Sequence, residues 1–113
     1  RVLATVVSRP ARERAVIDAG SKTFSSDRGV HGAATATGHG IVVGKEDLVI
    51  GGLSEEHGWL RLDPAGSDVR IGERLTVIPV HACPVANLAP ALVAVRGDRV
   101  VETWTATARS GVQ

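Results

Sequence analysis

An all-β domain, a small barrel or sandwich of about six to eight short strands, is what this sequence predicts. Valine, isoleucine and threonine number 17, 5 and 8, and such β-branched side chains lose χ1 freedom in helices but fit a pleated, half-buried surface. Thirteen glycines and five prolines punctuate the chain often enough to keep its elements short. No stretch of ten or more residues repeats its apolar positions strongly at helical spacing. At 113 residues the chain reads as one domain, 1–113, able to bury roughly two-thirds of its unfolded surface without disulfide staples.

The elements follow in order. Val2-Leu3-Ala4-Thr5-Val6-Val7 is a strand already under way at Arg1, so the expectation is a piece of a longer protein. Ser8-Arg9-Pro10 predicts a turn, and Arg14 to Asp18 a second strand closed by Ala19-Gly20. Residues 21–40, polar and glycine-rich, predict a long loop, of the kind that in compact domains tends to be functional. Ile41-Val42-Val43 and Leu48-Val49-Ile50 predict short strands, the latter ended by Gly51-Gly52. Trp59-Leu60-Arg61-Leu62 alternates at period two, placing Leu60 and Leu62 on one face. Asp63-Pro64-Ala65-Gly66 predicts a turn. Arg74 to Val80 predicts a strand whose Pro79 suits only an edge or an end. Val85 to Leu92 has room for a helical turn. Leu92 to Arg96 and Arg99 to Trp104 flank Gly97-Asp98, a two-residue hairpin loop.

Thirteen basic against twelve acidic residues leave a charge of +1, which removes the electrostatic case for nucleic acid or an anionic membrane. No apolar run approaches the ~20 residues that span a bilayer, and no basic-then-apolar leader opens the chain. One cysteine excludes an internal disulfide framework. The expected setting is cytoplasmic.

Candidate chemistry centres on His81-Ala82-Cys83. If these residues extend the preceding strand, the imidazole and the thiol project from one face, about 6.6 Å apart along the chain. Together they can chelate a borderline metal, zinc first; the other reading is a buried thiol beside a satisfied core histidine. A structural zinc needs four protein ligands; with one cysteine, two of His31, His39 and His57 would have to converge with His81 to complete it, so the ligand count favours an open, two-ligand catalytic arrangement. Leu53-Ser54-Glu55-Glu56-His57-Gly58 is either a loop that brings His57, the candidate catalytic side chain, or a carboxylate to a site, or a solvated acidic turn. Asp18-Ala19-Gly20-Ser21-Lys22 has no apolar pocket around its lysine, which reads as a surface or hydrogen-bonding residue. Gly38, Gly40 and Gly44 open no helix, which argues against a phosphate loop.

Asp18-Ala19-Gly20-Ser21-Lys22, Ser54-Glu55-Glu56-His57-Gly58, Ile78-Pro79-Val80-His81-Ala82-Cys83-Pro84 and the following Asn87-Leu88 resemble, in order and spacing, the C-terminal domain of the D-serine dehydratase and D-threonine aldolase family. The resemblance spans nearly the whole chain. It implies a pyridoxal-phosphate enzyme of the alanine-racemase fold type, whose N-terminal barrel holds the cofactor on its own lysine and whose C-terminal β-domain closes the site. It implies that His81 and Cys83 bind a divalent metal beside the cofactor. Cysteine at the second position resembles the dehydratase branch with zinc, where aspartate would lean to the aldolase branch with manganese. Val80 departs from the family, in which a polar residue is frequent. The implied substrate is a D-3-hydroxy amino acid, D-serine first, and the implied partners are the N-terminal barrel domain and a second subunit in a homodimer. A non-catalytic β-barrel serving binding or dimerisation is the competing expectation.

Overall fold

Period-two alternation sorts the strand residues into an inner and an outer set. In the computed structural model, which describes residues 1–28 and 38–106, that sorting closes a barrel. Its strands are β1 (Val2–Ala11), β2 (Arg14–Ile17), β3 (Gly40–Val42), β4 (Val49–Leu53), β5 (Gly58–Arg61) and β6 (Arg74–Pro79). Around the barrel the order is β1-β2-β5-β4-β3-β6, and β6 pairs back onto β1. Every pairing is antiparallel. Ala4 and Val6, Ala15 and Ile17, Leu60 and Leu62, and Leu75 and Val77 are the buried members of their alternating runs, joined by Val42, Leu48 and Ile50. Leu60 and Leu62 share a face as the sequence predicts. Burying each large aliphatic side chain contributes about 1.5–3 kcal/mol.

Two predicted breaks are absent. Ser8-Arg9-Pro10 is not a turn: β1 continues to Ala11 and the chain reverses over residues 12 and 13. Register shifts between Val6 and Ser8 and between Ser8 and Ala11 loosen the ladder there, so Pro10, which has no N–H to donate, is accommodated. Gly51-Gly52 does not end β4 either; the strand runs on to Leu53 with a bulge between Ile50 and Gly52. A Cβ at Gly52 would lie 2.7 Å from the Trp59 ring, and one at Gly51 3.4 Å from the Arg61 side chain. The two cross-strand side chains thus cover the bare glycines, which explains why a strand survives them.

The predicted loop over 21–40 contains a short helix, α1 (Ser21–Phe24); residues 29–37 lie outside the described residues. Phe24, the only phenylalanine, is 1% exposed and joins the barrel core. A second helix, α2 (Ala82–Leu88), begins three residues earlier than the helical turn expected from Val85. The Gly97-Asp98 hairpin forms as predicted, from β7 (Ala91–Arg96) and β8 (Arg99–Thr105), as a separate two-stranded sheet.

The turn predicted at Asp63-Pro64-Ala65-Gly66 is present, with the Gly66 N–H donating to the Asp63 carbonyl at 2.9 Å. The segment that follows is pinned by two cations. Arg9 donates to the carbonyls of Ala11, Arg12 and Val69 and to the Asp68 carboxylate over 2.6–2.8 Å. Lys45 donates to the Asp68 carbonyl and pairs with Glu73. The hydrogen bond from Lys45, reinforced by its charge, holds the Glu73 carboxyl below its ordinary value of 4.5.

A carboxyl whose pKa is lower in the folded than in the unfolded chain stabilises the fold fully above the unfolded value, and that contribution is lost as pH falls through the folded one. Urea midpoints should therefore hold from neutrality down to about pH 5 and fall below it. Lys45→Met should make that acid-side fall smaller; an unchanged profile would remove the Lys45–Glu73 pair from the account. Phe24→Ala should cost about 3–5 kcal/mol in urea unfolding. A loss below about 1 kcal/mol would mean that α1 does not complete the core.

Candidate metal centre

The segments singled out in the sequence meet at one end of the barrel. Asp18, closing β2, accepts the Thr5 N–H at 2.6 Å on its carboxylate and donates its own N–H to the Thr5 carbonyl at 3.0 Å. The chain then turns into α1, which rests on the β4–β5 turn: the N–H of Ser21 donates to the Ser54 carbonyl at 2.8 Å, and that of Lys22 to the Glu55 carbonyl at 3.1 Å. Gly20 permits this approach, since a Cβ there would lie 2.4 Å from the Ser54 carbonyl oxygen and 2.5 Å from that of Glu55. Backbone oxygens cannot yield as a flexible side chain can, so only glycine fits at this contact. Lys22 also pairs with Glu56, and that bond raises its ammonium above the ordinary 10.5.

Beyond α1 the chain crosses to the His81 segment through two histidines and one aspartate. His39 is buried, 4% exposed, with Nδ1 2.9 Å from the Asp27 carbonyl oxygen; because a carbonyl only accepts, the ring donates. The His39 backbone carbonyl takes the Val80 N–H at 3.3 Å. Next along the chain, His81 places Nδ1 2.6 Å from the Asp27 carboxylate, with both side chains a little over one-third exposed. One buried histidine therefore locates both partners of the Asp27–His81 pair.

The geometry expected for His81 and Cys83 needs correction. β6 ends at Pro79, His81 is the last extended residue (φ −136°, ψ 106°), and Cys83 already lies in the first turn of α2. The two side chains do not follow the i, i+2 alternation of a strand. Pro84 accounts for the switch: its fixed φ suits a helix, and in the first turn its missing N–H has no intrahelical partner to lose. Cys83 is exposed rather than buried in the core, so both donors remain accessible at one strand-to-helix junction. An imidazole nitrogen and a thiolate sulfur are the donor types that zinc takes, and the residues present fit that metal.

The remaining candidates separate. His39 is a buried histidine whose Nδ1 is committed to the Asp27 carbonyl. His57 is exposed on the β4–β5 turn, where its N–H reaches the Ser54 hydroxyl at 3.3 Å and its carbonyl accepts the Ser54 N–H at 2.8 Å. His31 lies outside the described residues. Among the described residues no group of three or more His, Cys, Asp or Glu side chains could hold a metal ion, so the described residues offer two candidate donors here. Both lysines of the chain, Lys22 and Lys45, are engaged with carboxylates. Sequence reasoning missed Asp27. It stands 54 positions from His81, in a polar stretch where no local pattern marks one aspartate above its neighbours.

With this geometry in place, the comparisons with known proteins are consistent. The family described as "Putative serine dehydratase domain" matches residues 1–95. The chain is 38% identical over 112 residues to an uncharacterised protein of Mycobacterium tuberculosis, covering 96% of this chain and 81% of that protein. It is 36% identical over 115 residues to the D-threo-3-hydroxyaspartate dehydratase of Delftia sp., covering 91% of this chain and 30% of the dehydratase. The solved structure of D-threonine aldolase from Filomicrobium marinum superposes with a TM-score of 0.76 at 33% identity, covering 99% of this chain and 28% of the aldolase. The chain thus spans less than a third of the length of these two enzymes. Solved forms of D-threo-3-hydroxyaspartate dehydratase include a histidine-to-alanine mutant and, two positions further on, a cysteine-to-alanine mutant in the metal-free form (TM-scores 0.73 and 0.72, each at 32% identity over 92% of this chain). The chain belongs to the serine dehydratase-like domain family, the C-terminal domain of the D-threonine aldolase and D-3-hydroxyaspartate dehydratase enzymes.

Proposed function

We propose that this chain is the metal-bearing domain of a pyridoxal-phosphate-dependent lyase acting on D-3-hydroxy amino acids, with D-serine as substrate and pyruvate and ammonia as products. The observation that carries this reading is the accessible imidazole–thiol pair, His81 and Cys83, at one strand-to-helix junction. Family membership and the dehydratase forms altered at a histidine and at a cysteine two positions on support it. When bound, zinc supplies a Lewis acid for the substrate's β-hydroxyl, and pyridoxal phosphate an electron sink for its α-carbon.

His81 and Cys83 are the side chains that would hold the metal, and two protein donors leave coordination room for a substrate oxygen. Cysteine rather than aspartate at the second position favours zinc and dehydration over manganese and aldol cleavage. His57 is assigned the role of holding or moving a proton through its ring nitrogens, consistent with its exposure beside α1. The cofactor lysine is assigned to an N-terminal barrel domain, in keeping with the engagement of Lys22 and Lys45 in ion pairs here. Leu92, Val93, Val95, Val100, Val101 and Trp104 of the β7–β8 hairpin are each close to half exposed or more. Apolar exposure on that scale supports burial against the barrel domain or a second subunit. A cytoplasmic enzyme without nucleic-acid or membrane partners completes the proposal.

A second reading is favoured by one comparison: the mycobacterial protein is little longer than the matched stretch, the size of a free-standing module. The two readings separate on activity. The full gene product, stripped with chelator and assayed on D-serine and D-threonine with and without zinc, should form pyruvate from D-serine only when zinc is restored. His81→Ala should lower that turnover to below about 1% with the fold retained by circular dichroism. Glycine and an aldehyde from D-threonine would transfer the assignment to the aldolase branch. Activity on neither substrate, with no metal retained, would favour the module. The 113-residue chain alone, supplied with pyridoxal phosphate, should not consume D-serine faster than the free cofactor does.

A further inference from the structure

We propose that Asp27 is the positioning residue of the metal centre: its carboxylate holds His81 in the tautomer protonated at Nδ1, so that Nε2 carries the lone pair offered to the metal. The inference rests on the reading of His81 as a ligand and adds how that ligand is prepared. Asp27 Oδ2 lies 2.6 Å from His81 Nδ1. A carboxylate only accepts hydrogen bonds, so the shared proton sits on Nδ1 and a neutral ring leaves Nε2 unprotonated. A free imidazole has no such constraint and divides between two tautomers. Carboxylate partners of this kind fix the orientation and raise the basicity of metal-binding histidines.

Asp27 is itself held more firmly than a surface aspartate needs to be. Its carbonyl accepts from Nδ1 of the buried His39 at 2.9 Å, and its N–H donates to the Ser25 hydroxyl at 3.2 Å. Ser25 takes φ 64° and ψ 179°, a conformation that costs a non-glycine residue on the order of 1–3 kcal/mol. The strain lies two residues before Asp27 and sets the direction in which the chain leaves α1. His39 reaches Asp27 with its ring and Val80 with its carbonyl, so the carboxylate and the imidazole are placed by a common buried residue. Nothing in the core requires the Asp27–His81 bond, because both side chains are partly exposed. A purely structural bond would fix the same tautomer, so zinc affinity is the readout that separates the two roles.

The test uses the 15N-labelled chain of 113 residues. Its histidine ring nitrogens are read by long-range 1H–15N correlation at about pH 8, above the ordinary histidine range. Zinc affinity is read by competition with a chromophoric chelator. His81 should show protonated Nδ1 and bare Nε2. Asp27→Ala should let the ring divide between both tautomers and weaken zinc binding about 10- to 100-fold, while Asp27→Asn, which keeps an acceptor oxygen, should retain the Nδ1 proton and most of the affinity. A wild-type His81 with a proton on Nε2 overturns the inference. So does equal zinc affinity in wild type and Asp27→Ala, an outcome that leaves the metal centre itself intact. Wild-type protein with the expected tautomer but no zinc binding overturns the metal centre and leaves the assignment of Asp27 to the ring standing.

Discussion

Closure of the barrel by the pairing of β6 with β1 is the constraint on which the rest of this structure depends. The ten residues of β1 pair with β2 along one edge and with β6 along the other, and this leaves none of the six strands with an open edge. A closed barrel of short strands encloses little volume, which is why alanine stands at two inward positions, Ala4 and Ala15, among larger aliphatic residues. Closure also fixes the barrel ends. The β4–β5 turn, the start of α1 and the residues after β6 have determined positions because the strands that deliver them cannot slide without turning their inward faces outward.

At one of those ends the backbone does most of the organising. Gly20 lets α1 lie against the carbonyls of Ser54 and Glu55, while Phe24 fills the core beneath. His39 extends the same logic toward Asp27 and Val80. The candidate site residues are carried on short junctions rather than on strands: His81 where β6 becomes α2, Cys83 within the first helical turn, and Asp27 just after α1. Junctions of this kind present side chains to a ligand or another domain while the barrel holds their ends still.

The β7–β8 hairpin follows a different rule. A two-stranded sheet alone is marginal in water, and this one carries apolar residues close to half exposed or more, from Leu92 to Trp104. Its Gly97 takes φ 59°, which suits the tight two-residue loop that sets the pairing of β7 with β8. The hairpin is therefore encoded locally, whereas its apolar character is suited to a surface that packs against it.

By itself the sequence determined much of what depends on neighbours along the chain, though not the switch to helix at Pro84. β-Branched composition and period-two runs specified an all-β domain, the shared face of Leu60 and Leu62, the Asp63–Gly66 turn and the terminal hairpin. The resemblance carried by the Ser-Glu-Glu-His-Gly and His-x-Cys-Pro segments led to the family. Tertiary structure decided the rest, because the deciding contacts are distant in sequence. The Gly51-Gly52 pair reads locally as a strand end, yet Trp59 and Arg61 from the neighbouring strand cover it. Pro10 reads as a turn residue, yet register shifts absorb it within β1. His39, Asp27 and His81 carry no mutual spacing signal; only a closed barrel that brings the end of β6 beside the start of β3 places them in one chain of hydrogen bonds.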